Sequence, residues 1–400
     1  MDPPHRGRVP LLLGVTGING KTTTVTLLDH LLRRLGLRTG MSTTAERVVA
    51  GERVPSRLTT PEADELHGML AAMRERRIDA AAVEVSAQAL VRARVAGVRF
   101  DVAGFTNLTH DHLDDFDDFD AYLAAKARLF EPDLSHRGVV SLDSPAGARL
   151  VVRSGVPVTT LAGGPGADWR TTVTSRTAAA TGLRLEGSGG ERLAGRVEMI
   201  GAHAAADAAL AVVMAATAGV PFERIAAALG DRGFDLGVPG RLERVAVPGS
   251  PAVHLDVAHT PDAFEKSLTA LRAITRGRIA MVFGADGDRD ATKRFDMGRV
   301  AGELADAVLI TGHHSRFEDP EGIRASLLAG ARSAHRAEVH EVPDPSDAIR
   351  FAVLASGPED AVLWAGTGRT EYRDVLGEKR PYSFFAQALA PVEDGRTHAA

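Results

Sequence analysis

The chain has 400 residues, 44% hydrophobic and 25% charged, with a formal net charge of −5. That length suits two or three globular domains, and the negative balance argues against a broad nucleic-acid surface. There is no cysteine, which excludes disulfides and thiolate metal sites, and no apolar run is long enough to span a bilayer.

The N-terminal MDPPHRGRV lacks the long apolar region of a signal peptide. A cytoplasmic protein is expected, acting on small molecules, with no membrane or nucleic-acid partner. The oligomeric state is not legible. Val9–Val15 is a short Val- and Leu-rich run, as a buried parallel strand would be. Next comes GINGKTTT, then a helix with apolar positions Val25, Leu28, Leu31, Leu32 and Leu35 and a stop at Gly36. Strand, Gly-rich turn and helix are the setting of a phosphate loop. Gly17 and Gly20 let backbone N–H groups converge on phosphate oxygens. Lys21 can reach the terminal phosphates, and Thr22 or Thr23 can place a hydroxyl on Mg²⁺. The bland reading is a plain strand-to-helix turn with an exposed lysine. Gly-Lys-Thr-Thr in this setting is hard to explain as packing.

Ala80–Ser86 and Asp101–Leu108 read as further buried strands, and Ala121–Phe130 as a helix. Glu84, ending the first of these strands, reads either as a surface glutamate or as a Mg²⁺ ligand. Asn107, His110, Asp111 and His112 end the other strand. Lys126 lies beside Tyr122, Leu123, Leu129 and Phe130, near a buried face, where a lysine needs a partner or a lowered pKa. From Gly138 to Ile200, short Val/Thr/Leu runs between Gly-rich turns suggest a smaller β subdomain. A helix follows from His203 to Gly219. The Gly/Pro-rich stretch 233–240 reads as a boundary between domains 1–238 and 239–400. Beyond it, strand and helix alternate again, and Asp256, His259, 284–294, 311–320 and 365–372 follow successive strands. The fold class is α/β: a phosphate-loop central domain with a parallel sheet and a small β subdomain, then a Rossmann-like C-terminal domain.

Together TGINGKTTT, LTTPEADEL, VEVSAQAL, FTNLTHDHLD, AAKARLF, PGRLERV, DVAHTPDAFEKSL, GADGDRD and SRFEDP resemble the Mur ligase superfamily of ATP-dependent amide-forming ligases. The UDP-N-acetylmuramoyl-tripeptide synthetase branch is the one they look like, over nearly the whole chain. Gly17, Asn19, Gly20, Lys21 and Thr22 fit its T-G-x-N-G-K-T loop. The resemblance implies ATP and two Mg²⁺ ions as cofactors. Gly17, Asn19, Gly20, Lys21, Thr22, Thr23, Asn107, Asp256 and His259 would serve the nucleotide. Thr22, Glu84, His112 and a carbamylated Lys126 would serve the metal. Lys21, Glu84, His112 and Lys126 would be the catalytic set. Thr59, Thr60 and Arg94 would contact the carboxylate substrate, and Arg289 and Arg316 the incoming amino acid. Without nucleotide, Lys21 should face solvent.

There are departures. The family's Ser-His is Ala87-Gln88, and the two asparagines expected near the adenine are Ala204 and Asp207. D-N-P-R reads His313, His314, Ser315, Arg316, and G-K-G-H-E reads Gly366, Thr367, Gly368, Arg369, Thr370. With those acids gone, an amine substrate carrying a carboxylate but no distal ammonium is expected. Relatives begin with a UDP-sugar domain of about a hundred residues, an ordinary domain size. Here the phosphate-loop strand starts almost at Met1, so the expected acyl substrate is a non-UDP-sugar carboxylate of specialised metabolism. The expected reaction is ligation of a carboxylate to an amine through an acyl phosphate. The rivals are a folylpolyglutamate-type ligase and a non-catalytic nucleotide-binding subunit.

Overall fold

A computed structural model describes residues 10–49, 51–54, 58–109, 116, 118–245 and 250–397. The first part of the chain runs β1 (Leu11–Thr16), α1 (Lys21–Arg34), β2 (Thr39–Ser42), β3 (Arg47–Val49), β4 (Glu52–Val54), α2 (Ala63–Glu75), β5 (Ala80–Glu84), α3 (Ala87–Val91) and β6 (Phe100–Phe105). It continues with α4 (Phe119–Ala127), β7 (Ser135–Ser141), α5 (Pro145–Arg153), β8 (Val158–Ala162), β9 (Trp169–Arg176), β10 (Thr181–Gly187), β11 (Arg192–Val197), α6 (Ala202–Thr217) and α7 (Phe222–Leu229).

All eleven strands form one sheet, in the order β11-β10-β9-β8-β7-β6-β1-β5-β2-β3-β4. Its middle is parallel from β8 to β2. β1 and β5 read as continuous apolar runs because both faces are covered. One face packs on α1 and α6, through residues such as Val25, Leu28 and Met214. The other packs on α2–α5, through Leu70, Phe100 and Leu123.

The expected β subdomain takes a different form. β7 and β8 belong to the parallel centre, and β9–β11 extend the same sheet as an antiparallel meander. The short runs between glycines marked strands correctly. Nothing in them encoded that β9 would pair with β8.

The second sheet follows: β12 (Glu243–Val245), β13 (Ala252–Asp256), α8 (Pro261–Arg272), β14 (Ile279–Phe283), α9 (Arg294–Leu304), β15 (Ala307–Ile310), α10 (Pro320–Ser333), β16 (Glu338–Glu341), α11 (Pro345–Leu354) and β17 (Ala361–Ala365). The hairpin β18 (Tyr372–Val375) and β19 (Glu378–Pro381) and helix α12 (Phe384–Thr397) complete it. The strand order is β12-β13-β17-β14-β15-β16, parallel apart from β12. Thus the segments after β13, β17, β14 and β15 emerge side by side at one edge, where open parallel sheets bind ligands. Among the described residues, no helix is long and apolar enough to cross a membrane.

Candidate active site

The phosphate loop leaves β1 and enters α1 through Gly20, which caps the helix with a positive φ of 88°. Only glycine takes that conformation at little cost. The first turn of α1 contains no acidic residue, and its cap carries no side-chain hydrogen bond. Its N–H groups and partial positive charge are therefore available to an anion.

Three side chains pin this loop from the end of β6 and from α4. Thr106 Oγ1 donates to the Asn19 carbonyl at 2.7 Å, and Asn107 Nδ2 donates to the same oxygen at 3.1 Å. The Asn19 N–H donates back to Asn107 Oδ1 at 3.1 Å. Lys126 is almost fully buried, donates to the Gly17 carbonyl at 2.8 Å, and stands 4.4 Å from the Tyr122 ring centre. Asn107 and Lys126 thus brace the loop, a part distinct from the nucleotide and metal roles the resemblance implies for them. His112 lies outside the described residues.

Lys21 differs from expectation. Its ammonium folds back to donate to the Ile18 carbonyl at 2.8 Å and sits 3.6 Å from Glu84. The adjacent carboxylate and carbonyl offer it partners before any phosphate arrives. Glu84 is 2% exposed, which removes the surface-glutamate reading. It accepts the Thr22 hydroxyl at 2.9 Å, the Thr44 N–H at 3.0 Å and the Thr44 hydroxyl at 3.2 Å. With its proton given to Glu84, Thr22 keeps its lone pairs for a cation. A carboxylate, a hydroxyl and phosphate oxygens are the hard donor set that Mg²⁺ prefers, so these residues fit the ion. Thr23 is buried within α1.

Thr60 and Arg94 face inward. Thr60 donates to the Glu84 carbonyl at 2.8 Å and accepts the Ser86 N–H at 3.0 Å. Arg94 forms an ion pair with Glu62 at 2.7 Å and reaches the Thr60 carbonyl. Both shape the segment that presents Thr59, whose hydroxyl meets that of Thr44 at 3.0 Å.

Asp207 from α6 closes the loop's far side. A side chain at position 20 would collide with its carboxylate. Burial pushes the Asp207 carboxyl up to about 8, against the pull of Lys266 and Arg241. The second sheet reaches the loop through α8: Asn19 Nδ2 donates to Asp262 at 2.8 Å, and Lys266 pairs with the same carboxylate at 2.7 Å. His259 is exposed, with Nδ1 2.7 Å from the Val257 carbonyl. Asp256 plays a structural part. It accepts from the Ala258 N–H and the Ser267 hydroxyl, and burial raises its pKa.

At the crevice beyond β14 and β15, Arg289 is exposed and makes no ion pair among the described residues. Arg316 adopts a positive φ of 50° and pairs with Asp286 at 3.2 Å. The other Asp286 oxygen meets His313 Nδ1 at 2.6 Å. Burial opposes ionisation of Asp286, but the His313 hydrogen bond and the neighbouring Arg316 hold its carboxyl below the usual range. Burial, then the adjacent His313, lowers His314 to about 4, and its Nδ1 accepts the Asp374 N–H at 3.0 Å. Donor atoms of Asp286, His313 and His314 lie within 4.8 Å of one another. With Arg316 on the second oxygen and only 2.6 Å between His313 and the first, the group is a hydrogen-bonded ion pair rather than a cation cage.

The motif comparison leaves no acid here, yet the structure places the Asp286 carboxylate on Arg316 and the Asp374 carboxylate near His314. The ground for excluding a distal ammonium is thereby removed. Among the described residues, His313 Nε2, Arg316 Nε, Thr367 Oγ1, Arg373 Nε and Asp374 Oδ1 are buried here without partners.

Residues 15–215 match the Mur ligase middle domain and residues 240–368 the Mur ligase, glutamate ligase domain. The chain belongs to the Mur ligase family. It is 54% identical over 376 residues to a UDP-N-acetylmuramyl-tripeptide synthetase of Leifsonia xyli subsp. xyli, covering 93% of this chain and 73% of that protein. It is 42% identical to a UDP-N-acetylmuramoyl-L-alanyl-D-glutamate–2,6-diaminopimelate ligase of Streptomyces avermitilis, covering 94% and 75%. A solved 2,6-diaminopimelate ligase of that name aligns with a TM-score of 0.66 at 25% identity, over 97% of this chain and 79% of the other. E. coli FolC, solved with DHPP and ADP, aligns with a TM-score of 0.69 at 21% identity, over 97% and 90%, and shares the fold. This Mur ligase is an ATP-dependent acid–amino-acid ligase.

Proposed function

We propose that this Mur ligase adds a diamino acid to the free carboxylate of a UDP-N-acetylmuramoyl dipeptide, the acyl substrate for which the Streptomyces avermitilis relative is named. The observation that carries the ligase chemistry is the Lys21–Thr22–Glu84 cluster at the mouth of the phosphate loop. We place the ATP-binding unit at residues 1–238 and the C-terminal unit at 239–400. Cytoplasmic ATP would be the phosphoryl source. A non-UDP-sugar carboxylate of specialised metabolism is the sequence reading, and no observation on the site favours it.

The loop N–H groups and α1 hold the ATP phosphates, and Lys21 moves from Ile18 and Glu84 onto the terminal ones. The substrate carboxylate attacks the γ-phosphorus, ADP leaves, and an acyl phosphate forms. The amine attacks the acyl carbon, loses a proton, and phosphate departs as the amide forms. Bound Mg²⁺ would offset charge on the transferring phosphoryl group. Thr22 and Glu84 would hold one ion, and His112 and a carbamylated Lys126 would support a second. The Asn19–Asp262 contact keeps α8 against the loop and shields the acyl phosphate from water.

At the amine end, the partly exposed Arg316 guanidinium suits the amino acid's carboxylate, and the Asp374 carboxylate near His314 suits a second ammonium. The test is phosphate release with a UDP-N-acetylmuramoyl dipeptide and a panel of diaminopimelate, lysine, shorter diamino acids, glutamate and small neutral amino acids. Preference for a diamino acid supports the reading; preference for a neutral or acidic one refutes it.

A further inference from the structure

We propose that Thr44 is a positioning residue that aims Glu84 at the nucleotide-bound cation and links it to the Thr59 loop. The turn between β2 and β3 is built for this. Thr43 Oγ1 accepts the Ala45 and Glu46 N–H groups at 3.2 and 3.0 Å, and the Thr43 N–H donates to the Glu46 carbonyl at 2.9 Å. That fold of the turn swings both donors of Thr44 toward β5. Its N–H meets Glu84 Oε2 at 3.0 Å, and its hydroxyl meets Oε1 at 3.2 Å. One carboxylate is thus gripped at both oxygens by a single residue.

The grip matters because Glu84 has competing neighbours. The Thr22 hydroxyl shares Oε2 at 2.9 Å, and the Lys21 ammonium lies 3.6 Å from Oε1. A carboxylate held only by these would follow Lys21 when it moves to phosphate. Thr44 fixes it in place through that movement.

The hydroxyl also lies 3.0 Å from Thr59 Oγ1. Its one proton is shared between Thr59 Oγ1 and Glu84 Oε1, so Thr44 bridges the two. The segment carrying Thr59 is tied to the same hairpin, since Arg47 from β3 donates to the Leu58 carbonyl at 3.2 Å.

The inference rests on Glu84 facing the cation, so the test separates the two. ADP binding is measured by calorimetry with Mg²⁺ and again in EDTA, on the full chain. Glu84→Gln should lose the gain in affinity that Mg²⁺ brings; if it does not, the reading of Glu84 fails. Thr44→Val should weaken Mg²⁺–ADP binding about tenfold, the size of one hydrogen bond to a charged group, and leave binding in EDTA unchanged. Thr44→Ser should bind within about twofold of wild type. Thr59→Val should give a smaller loss, and the double variant no more than Thr44→Val alone. The inference is overturned if Thr44→Val binds Mg²⁺–ADP normally while Glu84→Gln does not. It is equally overturned if Thr44→Val loses as much in EDTA, or if Thr44→Ser fails to restore binding.

Discussion

Lys126 donates to the Gly17 carbonyl at 2.8 Å, across 109 residues of sequence, and so ties α4 to the floor of the phosphate loop. Removing it leaves that carbonyl unmet and opens a cavity beside Tyr122. Lys126→Ala should destabilise the protein by about 2–4 kcal/mol and cut ligase turnover. The carbamate proposed at this amine predicts more. Protein equilibrated with ¹³C-bicarbonate should show a carbamate carbon resonance that Lys126→Ala lacks. Short carboxylates should restore part of the variant's activity. No resonance in the wild type, with full activity in bicarbonate-free buffer, would exclude the carbamate.

Lys21 is the loop's only full positive charge, and the native fold asks little of it beyond contacts with Ile18 and Glu84. Lys21→Ala should lower turnover by about 10³-fold or more, as loss of one transition-state donor commonly does. The melting temperature should stay within about 2 °C of wild type. Wild-type phosphate release from the folded variant would end the assignment.

Asp207 makes stability depend on pH in a direction opposite to the buried histidines. Burial lowers His203, His254 and His314 to about 4, so between that value and 6.5 the unfolded chain binds more protons and stability rises with pH. Asp207 is pushed up to about 8, so from the ordinary carboxylate range to about 8 the folded state holds the extra proton and stability falls as pH rises. The wild-type curve should therefore peak near pH 6–7, about where the histidine contribution ends. Asp207→Asn should lessen the decline above that peak by about 1.4 kcal/mol per pH unit for one proton, leaving the part due to buried Asp256. Parallel melting curves for the two proteins from pH 5 to 9 would contradict this.

The amine crevice yields a selectivity prediction. Asp374→Asn keeps the shape but loses the charge that would hold a second ammonium. It should lower kcat/KM for diamino acids at least tenfold, with little effect on neutral ones, since an uncompensated buried charge costs several kcal/mol. Equal loss across the panel would assign Asp374 a structural role only.

Much of the fold was legible. β1, β5 and β6 announce themselves as apolar runs, and Gly36 ends α1 with a φ of 84°. Gly17 to Thr22 could be read because a phosphate loop is local: its chemistry lies within six consecutive positions. The crevice could not. Asp286 meets Arg316 from 30 positions away, and His314 meets Asp374 from 60. A motif comparison sees only the residues that replaced the motif, not the acids that the sheet edge brings beside them. Thr60 and Arg94 show the converse: their sequence pattern was visible, but burial decided which way they faced. Thr44 carried no signal, because its role arises from how the Thr43 turn folds over Glu84.

Coupled turnover tests the central claim most directly. ADP and phosphate should form only when ATP, Mg²⁺, a UDP-N-acetylmuramoyl dipeptide and an accepted amino acid are all present, with one amide bond made per ADP and none with Lys21→Ala. ATP hydrolysis that proceeds without the acyl acceptor or the amine, or that makes no amide, would contradict it.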